Sequence, residues 1–114
     1  MRMSVEEFKK IAVKPKKNKY GNKKVVIDGI SFDSTKEGRY YETLKLLKKS
    51  GHIINFYMQV PFRLPGKITY WLDFLVIWKD GIIKHVDCKG VSTRVFLNKK
   101  KQVEEIYNIK IEVI

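Results

Sequence analysis

Two apolar segments rich in β-branched and aromatic residues, Ile68 to Trp78 and Ile82 to Cys88, flank Lys79-Asp80-Gly81. Such runs joined by a short turn containing glycine signal an antiparallel hairpin. This hairpin constrains the chain more than any other feature, because each arm carries one acid. If Lys79-Asp80-Gly81 is the whole loop, Trp78 pairs with Ile82, and counting back along both arms sets Asp73 opposite Asp87. Directly opposed residues have Cβ atoms about 4.5–5.5 Å apart on one face. If the turn is Asp80-Gly81 alone, Asp73 opposes Cys88 and Asp87 faces the other way. The three-residue loop is the preferred reading.

In that register two carboxylates meet on one face, and like charges facing each other across a sheet are destabilising, so a cation is expected between them. Lys89 lies two residues beyond Asp87 and returns to the same face by alternation, whereas Cys88 points away as a small buried hydrophobe. A solvated Asp87–Lys89 pair would be worth little. Asp73 fits that reading poorly, because Trp71-Leu72 and Phe74-Leu75-Val76-Ile77 surround it with apolar residues, and Asp is rarely buried without a partner.

The rest of the chain reads as a mixed central β-sheet flanked by helices, α/β in class and bordering on α+β. Ser4 to Ala12 has the spacing of a short helix. Lys24 to Ile27 and Ile30 to Phe32 form strands around an Asp28-Gly29 turn. Asp33 or Ser34 caps a helix from about Thr35 to Ser50, stopped by Gly51. Its stripe Glu37, Tyr40, Tyr41, Leu44 and Leu47 puts an acid at the head of the face that packs on the sheet. An acid in a first turn also stabilises the helix dipole from solvent. Ile53 to Leu64 reads as an edge strand, since Pro61 and Pro65-Gly66 bend or end it. Gly90 breaks the pattern, and a second helix from about Thr93 to Tyr107, with Phe96, Val103 and Tyr107 on one stripe, leads to a last strand, Ile109 to Val113.

Charge narrows the function. Twenty-four Lys and Arg against twelve Asp and Glu leave a formal +12 in 114 residues, which favours a polyanionic partner. Much of the excess lies in residues 1–24, where Lys14, Lys16, Lys17 and Lys19 read as a basic arm that binds phosphates by releasing counterions, or as a solubilising tail. Lys99, Lys100 and Lys101 on the second helix, with Arg94 and Arg39, are further candidates for the DNA backbone, although a lysine run is usually a solvated helix face. A single cysteine, Cys88, excludes an internal disulfide and a multi-Cys metal cluster. No apolar run is long enough to span a bilayer and the N-terminus lacks a secretory pattern, so a cytoplasmic protein with no membrane partner is expected. Tyr70, Trp71 and Trp78 could stack on bases, but strand aromatics at this density are mostly core.

Three carboxylates and a lysine suit phosphodiester hydrolysis assisted by Mg²⁺ or Mn²⁺, because Mg²⁺ takes a few carboxylates, waters and substrate phosphate as ligands. Leu72-Asp73 followed by Asp87-Cys88-Lys89, with Glu37 on the preceding helix, resembles the PD-(D/E)xK nuclease superfamily. The ordered set Asp28-Gly29-Ile30-Ser31-Phe32-Asp33-Ser34, Lys36-Glu37 and Asp87-Cys88-Lys89-Gly90 resembles, more narrowly, small phage nucleases related to Holliday-junction resolvases. The resemblance covers about residues 20 to 114, with Leu72 in place of the superfamily's proline. It implies a restriction-endonuclease-like core, Asp73 and Asp87 as metal ligands, and Lys89 as the catalytic lysine. Glu37 would be the helix carboxylate, the Cys88 backbone carbonyl a further ligand, and Gln59 a polar neighbour of the site. His85 shares the face of Asp87 by alternation, although a lone histidine near a hairpin is more often structural. The expected organisation is therefore a short helix and basic arm over 1–23 and a nuclease domain over 24–114. Its partner would be DNA, branched on the resemblance, and a resolvase cutting two strands would be a two-fold homodimer. A nicking or restriction-type enzyme and a non-catalytic DNA-binding module are the alternatives.

Overall fold

The computed structural model describes residues 24–89 and 92–114, and these fall into two compact units divided between Ile53 and Ile54. The expected helix over Ser4–Ala12, the basic arm and Gly90 lie outside the described residues.

In the first unit, β1 (Val25–Ile27) and β2 (Ile30–Phe32) form an antiparallel hairpin in which Ile27 pairs with Ile30. Asp28 and Gly29 both take positive φ, 53° and 76°, as a two-residue turn of the type that matches strand twist requires. Helix α1 (Thr35–Lys49) starts at Ser34, whose side chain accepts the Glu37 N–H at 3.1 Å, and ends before Gly51 at φ 81°. Its buried stripe is Glu37, Tyr41, Leu44 and Leu47, as helical spacing requires, and Gly38 joins it for a steric reason. A Cβ on Gly38 would stand 2.7 Å from Val25 Cγ2 and 3.0 Å from Ile27 Cδ1. Phe32 and Tyr41 rings pack 5.0 Å apart, and Asp28 accepts from both the Tyr41 hydroxyl and the Lys45 ammonium, tying the turn to the helix.

The second unit is built on a four-stranded sheet in the order β3-β4-β5-β6, so that β1 and β2 form a sheet of their own and do not join a single central one as expected from the sequence. A hairpin closed on itself by a two-residue turn satisfies its inner hydrogen bonds without a third strand. Strand β3 (Ile53–Leu64) occupies an edge, where its one proline, Pro61, is tolerated. Strands β4 (Ile68–Trp78) and β5 (Ile83–Asp87) are antiparallel. Helix α2 (Arg94–Tyr107), capped by Thr93, then carries the chain back to β6 (Ile111–Val113), which lies parallel to β5. Leu64, Tyr70, Leu72, Val103 and Ile111 form the buried cluster of this unit. A mixed four-stranded sheet, a two-stranded sheet and two helices make the fold α+β, and among the described residues no helix is long and apolar enough to cross a membrane.

Candidate functional site

The turn between β4 and β5 decides the site. Trp78 N–H donates to the Ile82 carbonyl at 2.9 Å and Gly81 N–H to the Trp78 carbonyl at 2.9 Å, with Gly81 at φ 87°. Lys79-Asp80-Gly81 is therefore a three-residue loop, and the two-residue alternative is excluded. The register runs from Ile77 opposite Ile83 to Phe74 opposite Val86, and its next step sets Asp73 opposite Asp87.

At that step side chains take over from the backbone ladder. Asp87 Oδ1 accepts the Asp73 N–H at 2.9 Å, and Asp73 Oδ2 accepts the Cys88 N–H at 2.9 Å. Asp87 Oδ2 accepts the hydroxyl of Tyr70, and Asp73 Oδ1 lies 3.4 Å from Gln59 Nε2, a long bond. Asp87 is fully buried and Asp73 nearly so, at 0% and 8% exposure. Burial pushes the Asp87 carboxyl above its ordinary range, against the Asp73 N–H, Lys89 and Lys100, all of which favour its charged form. Two adjacent buried acids, each gripping the backbone of the other's strand, are an expensive arrangement for a sheet.

Strand β5 ends at Asp87, so alternation does not by itself carry Lys89 to the site. The chain is held there by β6: Ile114 N–H donates to the Asp87 carbonyl at 2.9 Å, and Lys89 N–H to the Ile114 carbonyl at 3.3 Å. The Lys89 ammonium lies 5.0 Å from the centre of the Phe96 ring, and Phe96 in turn stacks on Tyr70 at 6.3 Å. Lys89, Phe96, Tyr70 and Asp87 thus form one connected group.

The remaining candidates separate. Gln59 reaches Asp73 from β3 with φ 51°, an unusual backbone for a non-glycine residue in a strand. Cys88 is buried, and its N–H donates to Asp73 Oδ2. His85 pairs with Leu75, is half-buried and sits edge-on to Phe62 at 6.0 Å, and burial lowers its pKa. Glu37 belongs to the first unit, buried in the first turn of α1. Arg94 and Lys101 are exposed, whereas Lys99, Lys100 and Arg39 are half-buried, and Lys14, Lys16, Lys17 and Lys19 lie outside the described residues. Trp78 is core and Trp71 is 54% exposed. Tyr70, read from the sequence as a core aromatic or a base-stacking one, is buried and gives its hydroxyl to Asp87, a contact the sequence reading did not name. The available signal was a tyrosine in a core strand, whose hydroxyl needs a partner once buried.

Among the described residues no three His, Cys, Asp or Glu side chains come together as a metal-binding group. The donor set at hand is two carboxylates, each of whose oxygens accepts up to two hydrogen bonds and keeps capacity beyond those drawn above. Two carboxylates are enough for an ion that completes its shell with water and phosphate, and too few for one that demands a full protein cage.

The model of a family described as a protein of unknown function (DUF1064) matches residues 17–114, and the chain belongs to that family. No curated protein and no solved structure shows significant similarity to the chain.

Proposed function

We propose that this member of the family is a nuclease that hydrolyses DNA phosphodiester bonds with a divalent cation, Mg²⁺ or Mn²⁺. One observation carries the proposal: Asp73 and Asp87 are buried side by side at the end of the β4–β5 ladder, with Lys89 following directly. A purely structural role explains this pair badly, because apolar residues would fill the same space without desolvating a charge. A divalent cation held there would offset the charge of both acids and would supply water activation near neutral pH. Asp73 and Asp87 would hold the ion, with the Cys88 carbonyl beside them. Lys89, released from the Phe96 ring, would orient the attacking water or stabilise charge on the phosphate oxygens.

The formal charge of +12 supports a polyanionic substrate. The resemblance to PD-(D/E)xK nucleases supports the same chemistry with a restriction-endonuclease-like core, and its narrower form supports branched DNA cut by a homodimer. A second reading, a DNA-binding module without catalysis, is favoured by the lack of a third protein ligand within the described group. Incubation with a labelled four-way junction and a linear duplex, in Mg²⁺ or in chelator, separates these readings. Cleavage that needs the metal and is lost in Asp73→Asn supports the nuclease. Binding of DNA with no cleavage in Mg²⁺ or Mn²⁺ contradicts it. A duplex cut as readily as the junction contradicts the branched-DNA assignment alone.

A further inference from the structure

Strand β5 ends at Asp87, so the pleat does not aim the Lys89 side chain, and a lysine is a point charge on a flexible stem. Other contacts must aim it. Its N–H donates to the Ile114 carbonyl, which ties the backbone to the C-terminal strand, and its ammonium lies 5.0 Å from the centre of the Phe96 ring. An ammonium within about 6 Å of a ring face is drawn to the ring's negative quadrupole. That ring is itself fixed. Phe96 stands in the first turn of α2, where its N–H donates to the Thr93 hydroxyl at 3.1 Å. Its side chain is half-buried, packs on the cluster that includes Leu72 and Val103, and stacks on Tyr70 at 6.3 Å with 27° between the planes. Tyr70 gives its hydroxyl to Asp87. The contacts therefore close a circuit, from Asp87 through Tyr70 and Phe96 to Lys89 and back along the chain through Cys88. Packing alone asks only for a bulky apolar side chain at position 96, and it does not explain a half-buried ammonium on its ring, since a lysine head by default reaches for water.

We propose that Phe96 is the positioning residue of Lys89: its ring fixes where the ammonium stands at the end of the β4–β5 ladder, and through Tyr70 it ties that position to the Asp87 carboxylate. An aromatic face suits a cation that must later serve an anion. It draws the ammonium without pairing its charge, whereas a carboxylate in the same place would cancel the charge that a phosphate needs. A charge-assisted bond to a phosphate oxygen is the stronger contact, so the amine can leave the ring when substrate arrives. The proposal rests on the nuclease reading for what Lys89 acts on, but its first test does not require cleavage.

That test is an NMR spectrum of the full chain with isotope-labelled lysine in chelator, in which the Lys89 ε-methylene signal is identified by its loss in Lys89→Arg. The signal should lie upfield of the other lysines in wild type and in Phe96→Tyr, because it sits over a ring. It should move back towards them in Phe96→Leu, and also when position 96 carries a trifluorinated phenylalanine, which keeps the ring's shape and weakens its negative face. Cleavage of a labelled four-way junction in Mg²⁺ is the second readout. Phe96→Leu and the fluorinated chain should lose about tenfold or more in kcat with KM nearly unchanged, and Phe96→Tyr should stay near wild type. A Lys89 signal among the other lysines in wild type overturns the proposal. So does a fluorinated chain with wild-type kcat, because packing survives fluorination and the hold on the amine does not. If Phe96→Leu fails to fold, the fluorinated chain carries both comparisons. A wild type that never cuts overturns the nuclease reading, and the NMR series still decides whether Phe96 places Lys89.

Discussion

Asp73 and Asp87 each accept a backbone N–H from the other's strand at 2.9 Å, Asp87 from Asp73 itself and Asp73 from Cys88. The two acids thus close the β4–β5 ladder where its regular register stops, and the fold cannot form without bringing them together.

The buried charge of Asp87 should make the metal-free protein less stable as pH rises. Burial raises its folded pKa above the ordinary value of 3.8, over the opposing effects of the Asp73 N–H, Lys89 and Lys100. A raised carboxyl pKa gives stability that is fully present below the unfolded value and lost as pH climbs through the folded one. Asp87→Asn removes that loss, and the Tyr70 hydroxyl can rotate to accept from the new amide. In chelator the variant should melt several degrees higher than wild type at pH 7.5, about 1 kcal/mol or more, and show a smaller gain at pH 4. Thermal unfolding at the two pH values checks this. A lower melting temperature at pH 7.5 would contradict it.

Tyr70→Phe should cost about 1–3 kcal/mol, because Asp87 Oδ2 loses its donor inside the core while the ring still fills its place against Phe96. Chemical denaturation should show a lower midpoint with an unchanged slope. A variant as stable as wild type would show that the hydroxyl does not support Asp87.

Gly38→Ala tests the close approach of α1 to the β1–β2 hairpin. Helix propensity alone favours alanine by about 1 kcal/mol. The added methyl would press on stiff, β-branched Val25 at 2.7 Å, and overpacking typically costs about 1–3 kcal/mol. A net loss of stability is expected in a denaturation series, and a net gain would show that the hairpin yields easily.

How much of this was legible in the sequence differs from element to element. The Asp73–Asp87 relation was readable because Gly81 allowed only a few turns and counting did the rest. Ser34, Gly51 and the α1 stripe were equally plain, since caps and helical spacing are local. The separation of β1–β2 into its own sheet was not, because strand patterns name strands and not their neighbours. Lys89 was placed beside the acids by alternation, which ends at Asp87, and the actual cause is pairing with the C-terminal strand. The bond from Tyr70 to Asp87 stayed hidden because a tyrosine among apolar residues reads as core, and the partner of its hydroxyl emerges only once the strands are paired.

Lys89→Ala should abolish cleavage while leaving DNA affinity nearly unchanged, since an amine that serves the reacting phosphate contributes little to a surface of net charge +12. Single-turnover cleavage and anisotropy on the same preparation check the two halves. A matching collapse in affinity would make Lys89 a phosphate contact alone.

The claim that the two acids form a metal site is tested most directly by calorimetric titration of Mn²⁺ into wild type, Asp73→Asn and Asp87→Asn at pH 7.5. Specific uptake by wild type that vanishes in both variants is the expected result. No specific uptake by wild type, or uptake that survives both substitutions, would contradict it.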